Sequence, residues 1–453
     1  MTQDTPTPPR PGGPSEPGSR ARRVSSSRAV RRGRGARSGG RRKAPQPGKT
    51  VFRVILSSLL ALGLLSGVGV VLIYNNWNGN IRQEDLVSQL GADRPDKEEV
   101  AGEQEPLNIL VMGSDSRAGE GNGIDGESGG GLSDTTILFH LSANREFAYG
   151  ISIPRDTAVM RPTCFREDGS EIPAATEYSK WNAAFATGGP ACTIRQLEQL
   201  SGIRVDNYVV VDFNQFKDMV NALDGVEVCI PEDINDEVRN IYLKAGTREI
   251  KGNEALTYVR ARYRIGDGTD TNRTRRQQAF IGSMINKALT AGMIARPDRL
   301  LRFLNAATSS LQTGYNAAQI VDLAATAQGI GADNIKFITT PWGGTDKVSG
   351  GVEWTPEIKK LWRLVRKDKP LSAEFLEDAL SASDNPDGSP SAGTTSDAPS
   401  GSASGSASDG ASDGASDGAS DGASDGASDG ASDGTAEDEG GLSDAGRAAA
   451  GLC

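Results

Sequence analysis

Runs of apolar residues separated by polar turns divide most of the chain into strands and helices. Residues 107–113, LNILVMG, are a continuous apolar run, which is typical of a strand buried on both faces. Further strands are predicted at TTILFHL, FAYGISI, VDNYVVVDF, residues 226–230 and residues 335–340. Helices are predicted at residues 193–200, 214–223, 253–258, 274–290, 297–311 and 317–328. Strands that alternate with helices indicate an α/β class fold: a three-layer α/β/α domain with a central mixed sheet flanked by helices.

One apolar segment is of a different kind. Residues 54–74 read VILSSLLALGLLSGVGVVLIY and carry no charge, a length sufficient to span a bilayer as a helix. A cleaved signal peptide has a shorter apolar region and a small-residue cleavage site, which YNNWNGN does not offer. We therefore predict a single transmembrane helix over residues 51–74.

Charge differs sharply on the two sides of this segment. Residues 1–50 have eleven Arg and two Lys against Asp4 and Glu16, a balance of +11, whereas the whole chain has a net charge of −10. Basic flanks stay on the cytoplasmic side of a membrane. The sequence therefore predicts a disordered, basic, cytoplasmic N-terminal segment and a single-pass protein of the cell membrane whose remainder is extracytoplasmic.

The rest of the chain is divided by composition. Residues 75–105 are predicted to be a charged extracytoplasmic spacer, and residues 106–370 a folded domain. From residue 371 the chain loses its periodic apolar residues, and residues 407–434 are seven copies of Ala-Ser-Asp-Gly. Residues 371–453 are therefore expected to form a disordered acidic tail.

Cysteine usage limits the chemistry of the exported part. Cys164 and Cys192 lie in loop-like sequence and are the favoured disulfide pair, while Cys229, in strand-like VEVCI, is expected to be buried and free. The chain has a single histidine, His140, and no CxxC pattern. These counts argue against zinc sites built on Cys or His and against Ser-His-Asp hydrolysis.

A basic stretch stands out at residues 258–280, YVRARYRIGDGTDTNRTRRQQAF. Its first arginines, Arg260, Arg262 and Arg264, alternate with other residues and would share one face of an extended segment. After a glycine turn, Asp270 and Thr271 are expected to cap a helix that carries Arg273, Arg276 and Gln277. Such a set suits an anion with several oxygens, although a solvated charged helix with surface ion pairs explains the same residues.

Further charged residues follow or precede the predicted strands: Asp115, Arg117, Asp134, Arg155, Asp156 and Lys180. Ligands of open α/β sheets bind at strand ends. Paired carboxylates suit a hard divalent cation, and arginines and lysines neutralise a transferring phosphoryl group. Taken singly, Asp115 could cap a helix and Asp134 could begin a strand after a turn.

The sequence resembles the LytR-CpsA-Psr family of cell-wall ligases. The matching segments are NILVMGSDSR, LSDTT, ISIPRD, KWNAAF, GGPACT, YVVVDFNQF, ALDGVEV, G-x-x-AL-x-YVRAR and D-x-x-R-x-x-RQ. They occur in the family's order and cover about residues 106–289. The resemblance implies that residues 106–370 form a LytR-CpsA-Psr-like catalytic domain.

The resemblance also implies an activity, partners and residue roles. Such enzymes move a glycopolymer from a polyprenyl pyrophosphate carrier onto a hydroxyl of peptidoglycan, usually the C6 hydroxyl of N-acetylmuramic acid, beside a membrane. By this resemblance Asp115 and Asp134 would hold Mg²⁺, with Mn²⁺ as the alternative ion. The pyrophosphate would be bound by Arg155, Arg260, Arg262, Arg273 and Lys180, with Arg276 and Gln277 in support. Asp270 matches an acidic residue near these arginines, although the loose spacing leaves Asp267 as an alternative, and Arg117 matches a motif arginine.

Two other functions are compatible with these residues. Water as the acceptor would make the protein a polyprenyl pyrophosphate hydrolase with the same site. Alternatively, the protein could be a non-enzymatic envelope regulator that acts through its basic N-terminal segment. That segment has no aromatic side chain to stack on bases, so no nucleic acid partner is expected and contact with anionic lipid is favoured.

Overall fold

The computed structural model describes residues 47–84, 86–100, 102, 104–114, 131–239, 241–290, 296–309, 311–391 and 441–453. By its contacts the chain divides into two units, residues 1–65 and 66–453. Several predictions fall on residues outside the described ranges. These are the disorder of residues 1–46, the Ala-Ser-Asp-Gly repeats, and the positions of Asp115 and Arg117.

The helices of the described residues are α1 (Pro47–Asn80), α2 (Val87–Leu90), α3 (Ala183–Ser201), α4 (Phe213–Ala222), α5 (Gly252–Arg260), α6 (Asp270–Leu289), α7 (Pro297–Thr308), α8 (Ala317–Ile330), α9 (Ile358–Arg366), α10 (Ala373–Leu376) and α11 (Asp444–Ala450). The strands are β1 (Arg82–Gln83), β2 (Leu107–Ser114), β3 (Ser133–Leu141), β4 (Ala148–Ile153), β5 (Ala158–Val159), β6 (Cys164–Phe165), β7 (Glu171–Ile172), β8 (Ser179–Lys180), β9 (Asn207–Val211), β10 (Val226–Ile230), β11 (Ile234–Asp236), β12 (Ile241–Leu243), β13 (Gly246–Ile250), β14 (Gln312–Thr313), β15 (Ile335–Thr339), β16 (Trp342–Gly344), β17 (Val352–Trp354) and β18 (Leu380–Ser381).

Helix α1 contains the predicted membrane span and extends beyond it. Among the described residues, Gly48–Asn80 is the one helical segment long and apolar enough to cross a membrane. Its apolar side chains are exposed, for example those of Leu60 and Leu65. Exposure of this kind is what a lipid-facing helix requires.

A mixed sheet forms the centre of the second unit. Its eight strands have the order β1-β14-β9-β2-β3-β4-β15-β18. The pairs β2–β3 and β3–β4 are antiparallel, whereas β2–β9 and β4–β15 are parallel. The predicted central mixed sheet is confirmed.

Both faces of the sheet are covered by helices. Leu110 and Met112 of β2 pack in one core with residues of α3 and α9, such as Leu197 and Trp362. Ile109, their neighbour in the strand, packs in the opposite core, where α6 and α8 contribute. Side chains alternate between the faces of a strand, so an apolar run buries both faces. The three-layer prediction is confirmed.

The boundary predicted at residue 370 is wrong. Leu371 is buried in the core, and β18 pairs with β15. At the C-terminus, Leu442 and Leu452 are buried beside the sheet. Residues 371–391 and 441–453 are therefore parts of the fold, because these scattered apolar side chains complete its core. The backbone N–H of Leu442 donates to the oxygen of Gly388 at 3.2 Å, so the chain re-enters the fold close to where it leaves.

The segment at residues 75–105 is also more than a spacer. Ile81, Leu86 and Leu90 are buried, and β1 pairs with β14 at the edge of the sheet. Burial of these apolar side chains is favourable and fixes the segment against the domain. Residues 81–90 are thus part of the fold that contains the central sheet.

Two disulfide bonds are present. Cys164 and Cys192, the favoured pair, are joined with their Cα atoms 5.2 Å apart. The prediction that Cys229 is free is wrong, because it is joined to Cys453 with a Cα separation of 5.6 Å. The second bond ties the end of the chain to β10.

Candidate active site

Two strand ends bring Asp134 and Arg155 together. β3 and β4 are antiparallel, with Thr136 opposite Ile153, so the start of β3 and the end of β4 lie at one edge of the sheet. Nη1 of Arg155 is 2.5 Å from Oδ1 of Asp134. A buried, charge-assisted contact of this length is a strong one and fixes both side chains.

Arg155 also contacts a carboxylate from the first turn of α6. Its Nε is 3.1 Å from Oδ1 of Asp270, and Nη2 of Arg273 is 2.7 Å from the same oxygen. Nη2 of Arg273 donates to the backbone oxygen of Asp134 at 3.4 Å. We call Asp134, Arg155, Asp270 and Arg273 the ion-pair cluster. An acidic residue in the first turn of a helix is favoured by the helix dipole, which supports the place of Asp270.

Burial and charge act in opposite directions on the ion-pair cluster. Burial disfavours the charged form of Asp134, but Arg273 and Arg155 outweigh it and hold the pKa of this carboxyl below its usual value of 3.8. Arg262 adds to this lowering. Burial also disfavours the charge of Arg155, yet Asp270 and Asp134 raise the pKa of its guanidinium. Asp134 and Arg155 are therefore both charged at neutral pH.

Asp156 connects Lys180 to the cluster. Nζ of Lys180 is 2.7 Å from Oδ1 of Asp156, and Nε of Arg155 is 3.8 Å from its Oδ2. Lys180 therefore reaches the cluster through a carboxylate. The sequence places Asp156 directly after Arg155 at a strand end, and this adjacency is the signal for its contact with the cluster.

The first part of the basic stretch forms the end of α5, and the residues between Arg260 and Asp270 form the turn that leads into α6. Helix α5 continues to Arg260, whose guanidinium lies 4.2 Å from the centre of the Phe213 ring. Arg264 has a left-handed backbone with a φ of 60°, and its side chain is 70% exposed, 4.0 Å from Asp236. The expectation of one extended segment with Arg260, Arg262 and Arg264 on one face is therefore wrong, because Arg260 ends a helix and Arg264 has a left-handed backbone.

Arg276 is buried behind this turn. Its Nε donates to the oxygen of Tyr258 at 3.1 Å and its Nη1 to that of Ala450 at 3.1 Å, while Nη2 donates to the oxygen of Ala261. Burial lowers the pKa of its guanidinium to about 10. Arg276 therefore holds the basic stretch from within the fold, and the supporting role that the resemblance implies for it stays a prediction.

Gln277 links α6 to its neighbours. Its Oε1 accepts from the hydroxyl of Thr135 at 3.2 Å, and its Nε2 donates to the oxygen of Val259 at 3.0 Å. These bonds hold α6 against β3 and α5. Gln277 also lines the cavity described below, which is consistent with the support role predicted for it.

The structure distinguishes Asp267 from Asp270. Asp267 is exposed, and its carboxylate accepts from the N–H of Thr269 at 2.9 Å and from Nδ2 of Asn272 at 2.7 Å. Thr269 is the N-cap of α6, one residue before the predicted position. Asp267 therefore orders the turn before the helix, and Asp270 is the residue of the ion-pair cluster.

An apolar cavity of about 270 Å³ opens beside the ion-pair cluster, between the sheet and helices α4, α5 and α6. Most of its lining is aliphatic or aromatic, including Phe216 and Met284. Its polar lining residues are Asp134, Thr135, Asp212, Arg260, Arg273 and Gln277. The cavity thus combines a large apolar surface with carboxylates and guanidinium groups.

A second cavity of about 270 Å³ continues along the same face of the sheet. It shares Val111, Phe139 and Ile285 with the first and has an entirely apolar lining, which includes Leu323 of α8. We call this the deep cavity. The two cavities adjoin, and together they offer an extended apolar volume whose polar lining lies in the first.

Asp115 and Arg117, which the sequence predicts to lie near Asp134, are outside the described residues. Asp115 follows Ser114 directly, and Ser114 is paired with Ser133, the neighbour of Asp134. The chain therefore leaves β2 beside the start of β3. The positions of Asp115 and Arg117 themselves are not described.

Two named proteins are similar to part of this chain. A Bacillus subtilis protein named polyisoprenyl-teichoic acid–peptidoglycan teichoic acid transferase TagV is 32% identical over 56% of this chain and 61% of its own length. A Corynebacterium glutamicum protein named probable cell wall biosynthesis protein LcpB is 32% identical over 46% of this chain and 48% of its own. The chain thus spans less than two thirds of either relative.

The crystal structure of B. subtilis TagV is 27% identical, with 59% of this chain and 100% of that chain covered and a TM-score of 0.45. A model of the LytR_cpsA_psr family matches residues 73–369, which is more than half of the chain. The chain therefore belongs to the LytR_cpsA_psr family.

Proposed function

We propose that this chain is a phosphotransferase that moves a glycopolymer from a polyprenyl pyrophosphate carrier onto peptidoglycan. The observation that carries the proposal is the apolar cavity, with guanidinium groups and a carboxylate in an otherwise apolar lining. A phosphorylated isoprenoid has the same division between an apolar chain and a charged end. The name of the B. subtilis relative, a polyisoprenyl-teichoic acid–peptidoglycan teichoic acid transferase, supports this choice.

The carrier chain would occupy the two adjoining cavities. Each methylene group removed from water contributes about 0.8 kcal/mol, so a long isoprenoid gains most where the lining is continuous and apolar. Val111, Phe139 and Ile285 line both cavities and would contact the middle of the chain. The pyrophosphate would then lie beside Asp134, Arg260 and Arg273.

Arg273 is suited to bind the pyrophosphate. Its side chain is almost completely buried, and its Nε has no hydrogen-bond partner among the residues described. A buried N–H without a partner is costly, so a phosphate oxygen there would relieve that cost. Arg260 lines the same cavity and Arg262 lies close enough to act on Asp134, so both would add positive charge.

In the proposed reaction the acceptor hydroxyl oxygen forms a bond to the phosphorus that bears the glycopolymer. The bond from that phosphorus to the bridging oxygen breaks, polyprenyl phosphate leaves, and the hydroxyl proton is released. The guanidinium groups would neutralise charge that develops on the phosphoryl oxygens, which is where such enzymes obtain most of their rate. Asp134 and Asp270 would keep these guanidinium groups oriented.

The residues fit a magnesium ion that is shared with the substrate. Among the described positions no group of three or more His, Cys, Asp or Glu could hold a metal, but Mg²⁺ uses one or two carboxylates together with phosphate oxygens and water. Asp134 lines the cavity, and Ser114, which Asp115 follows in the sequence, is paired with Ser133, the neighbour of Asp134. We propose that these two carboxylates hold Mg²⁺, or Mn²⁺ in its place, which would supply positive charge to the phosphate oxygens.

The proposed location follows from α1 and the charge of its flanks. With residues 1–50 in the cytoplasm, the mixed sheet and its cavities would lie outside the cell beside the membrane.

The proposal is tested with the full-length chain in detergent micelles, a polyprenyl-pyrophosphate-linked oligosaccharide, Mg²⁺ and peptidoglycan oligomers. We expect Asp134→Ala and Arg273→Ala to abolish both pyrophosphate cleavage and glycan transfer. Arg264→Ala is the matched control, because its side chain is exposed and lies beside Asp236 alone among the carboxylates described. Wild-type turnover in the two site variants would contradict the proposal, and cleavage without transfer to peptidoglycan would identify a hydrolase.

A further inference from the structure

A second, polar cleft lies on the other side of α6. It has a volume of about 210 Å³ and is formed by α6, the end of β15 and residues 374–378. Successive residues of a helix are about 100° apart, so Arg273 and Gln277 face the apolar cavity while Arg275 and Gln278 face this cleft. Asp270 and Arg273 of the ion-pair cluster lie at the start of the same helix.

Trp342 is an unusual lining residue of the polar cleft. It begins β16, and its side chain remains 44% exposed although the residue opposite it, Trp354, is half-buried. A tryptophan kept in contact with water inside a concave polar site offers a flat apolar face with a partly negative π surface. A pyranose ring matches such a face, because it presents C–H groups on one side and hydroxyl groups around its rim.

The other lining residues supply partners for those hydroxyls. Nη2 of Arg275 is 2.7 Å from Oδ2 of Asp378, and both side chains remain partly exposed. In the part of the chain that the structure describes, Glu377 has no ion-pair partner, so its carboxylate is available as an acceptor. Carboxylates and a guanidinium group can each bind neighbouring hydroxyls through two atoms.

The floor of the polar cleft is attached to the strand that leads into the site. Nε2 of Gln278 donates to the hydroxyl of Ser152 at 2.8 Å, and the N–H of Thr340 donates to the oxygen of Ser152 at 2.9 Å. Ser152 lies in β4, directly before the end that leads to Arg155. The polar cleft is therefore tied to β4, the strand whose end leads to Arg155 of the ion-pair cluster.

We propose that the polar cleft binds a pyranose residue of a glycan, with its ring on Trp342 and its hydroxyls on Arg275, Glu377 and Asp378. The inference rests on the proposed function, in which the lipid occupies the apolar cavity and the sugars lie beyond the pyrophosphate. The glycan would come from the acceptor strand or from the glycopolymer of the donor, which share this chemistry.

The test is a calorimetric titration of the full-length chain in detergent micelles with two glycans in separate arms. One is a tetrasaccharide of alternating N-acetylglucosamine and N-acetylmuramic acid, and the other is a cell-wall glycopolymer fragment freed of lipid and phosphate. We expect one of them to bind, and Trp342→Ala to weaken its Kd about tenfold, with Trp342→Phe intermediate. Tyr242→Ala is the matched control, because Tyr242 is an exposed aromatic residue of a strand outside the cleft.

Each outcome bears on the proposal. The arm that binds identifies the source of the glycan. If neither glycan binds, or if Trp342→Ala and Tyr242→Ala behave alike, the polar cleft is not a saccharide site. Glycan binding without any transfer activity would instead contradict the proposed function and leave the cleft in place.

Discussion

Nε of Arg155 lies 3.1 Å from Oδ1 of Asp270, which joins the end of a central strand to the first turn of α6. The contact fixes the start of the helix at the edge of the sheet. Because Arg273 is one turn further along α6 and contacts the same carboxylate oxygen at 2.7 Å, its position depends on this pair. Arg155 thus positions Asp270 and, through it, Arg273, in addition to contributing a positive charge.

We predict that Arg155→Lys reduces turnover roughly a hundredfold, as the loss of a preorganised donor does in other enzymes. A lysine keeps the charge but has a single ammonium group, which cannot contact Asp134 and Asp270 through two separate nitrogen atoms. The measurement is single-turnover cleavage of the pyrophosphate carrier by the full-length chain. Arg264→Lys is the control and should retain wild-type turnover, and equal turnover in the two variants would contradict the prediction.

Filling the junction of the two cavities should select for short carriers. Val111 lines both cavities, so Val111→Phe would narrow the passage between them. We expect KM to rise about tenfold for a long polyprenyl donor and to stay unchanged for a farnesyl analogue, which the first cavity would hold alone. Val321→Phe, on the exposed side of α8, is the control. Equal changes for both donors would show that the chain does not enter the deep cavity.

A buried pair away from the site should give the fold a pH dependence. Asp368 accepts from the N–H of Ala143 at 3.0 Å and lies 3.0 Å from Nε2 of His140. Burial opposes its charge, but the bonds from His140 and Ala143 outweigh burial and lower the pKa of Asp368 below 3.8. A carboxyl with a lowered pKa stabilises the fold above its unfolded pKa, and this contribution is lost as the pH falls.

We therefore predict that Asp368→Asn lowers the free energy of unfolding by about 1–3 kcal/mol at neutral pH. The difference from wild type should shrink below about pH 4, where the carboxylate of the wild type takes up a proton. Urea unfolding over a pH series measures it. Asparagine tolerates the positive φ of 50° at this position, so the backbone is not the cause. A difference that does not vary with pH would contradict the assignment to ionisation.

The bond between Cys229 and Cys453 should stabilise the fold as a whole. We expect the double substitution Cys229→Ser with Cys453→Ser to lower the free energy of unfolding by about 2–5 kcal/mol. The single substitution Cys229→Ser should cost about as much, because either change removes the bond. Urea unfolding of the three proteins provides the comparison, and a double variant as stable as wild type would exclude a stabilising bond.

The sheet and its charged edge were predictable because their signals are local. The apolar runs of β2, β3 and β4 and the charged residues at their ends lie within short segments of sequence. Antiparallel pairing then brings Asp134 and Arg155 together without any further information. The family motifs left Asp267 and Asp270 as alternatives because the turn between the arginines makes their spacing loose. In the structure Asp267 orders this turn through its bonds to Thr269 and Asn272.

Long-range packing accounts for what the sequence did not show. Leu442, Leu452 and Cys453 are separated from their partners by a long polar segment, and no pattern near them predicts burial. The left-handed backbone of Arg264 has no signal either, since glycine is the usual residue there and two glycines follow nearby. Only the folded arrangement shows that the guanidinium of Arg276 is directed to the backbone oxygens of Tyr258, Ala261 and Ala450.

The hydrogen bond between Leu442 and Gly388 shows that the segment with the Ala-Ser-Asp-Gly repeats begins and ends at neighbouring points of the fold. The chain leaves the fold near Gly388 and re-enters it beside the same residue, so residues 392–440 are an insertion between two neighbouring points. Their eleven acidic residues, with no basic ones, form one uninterrupted block of negative charge. Because both ends of this insertion meet at Gly388, adding or removing four-residue copies would leave Cys453 beside Cys229.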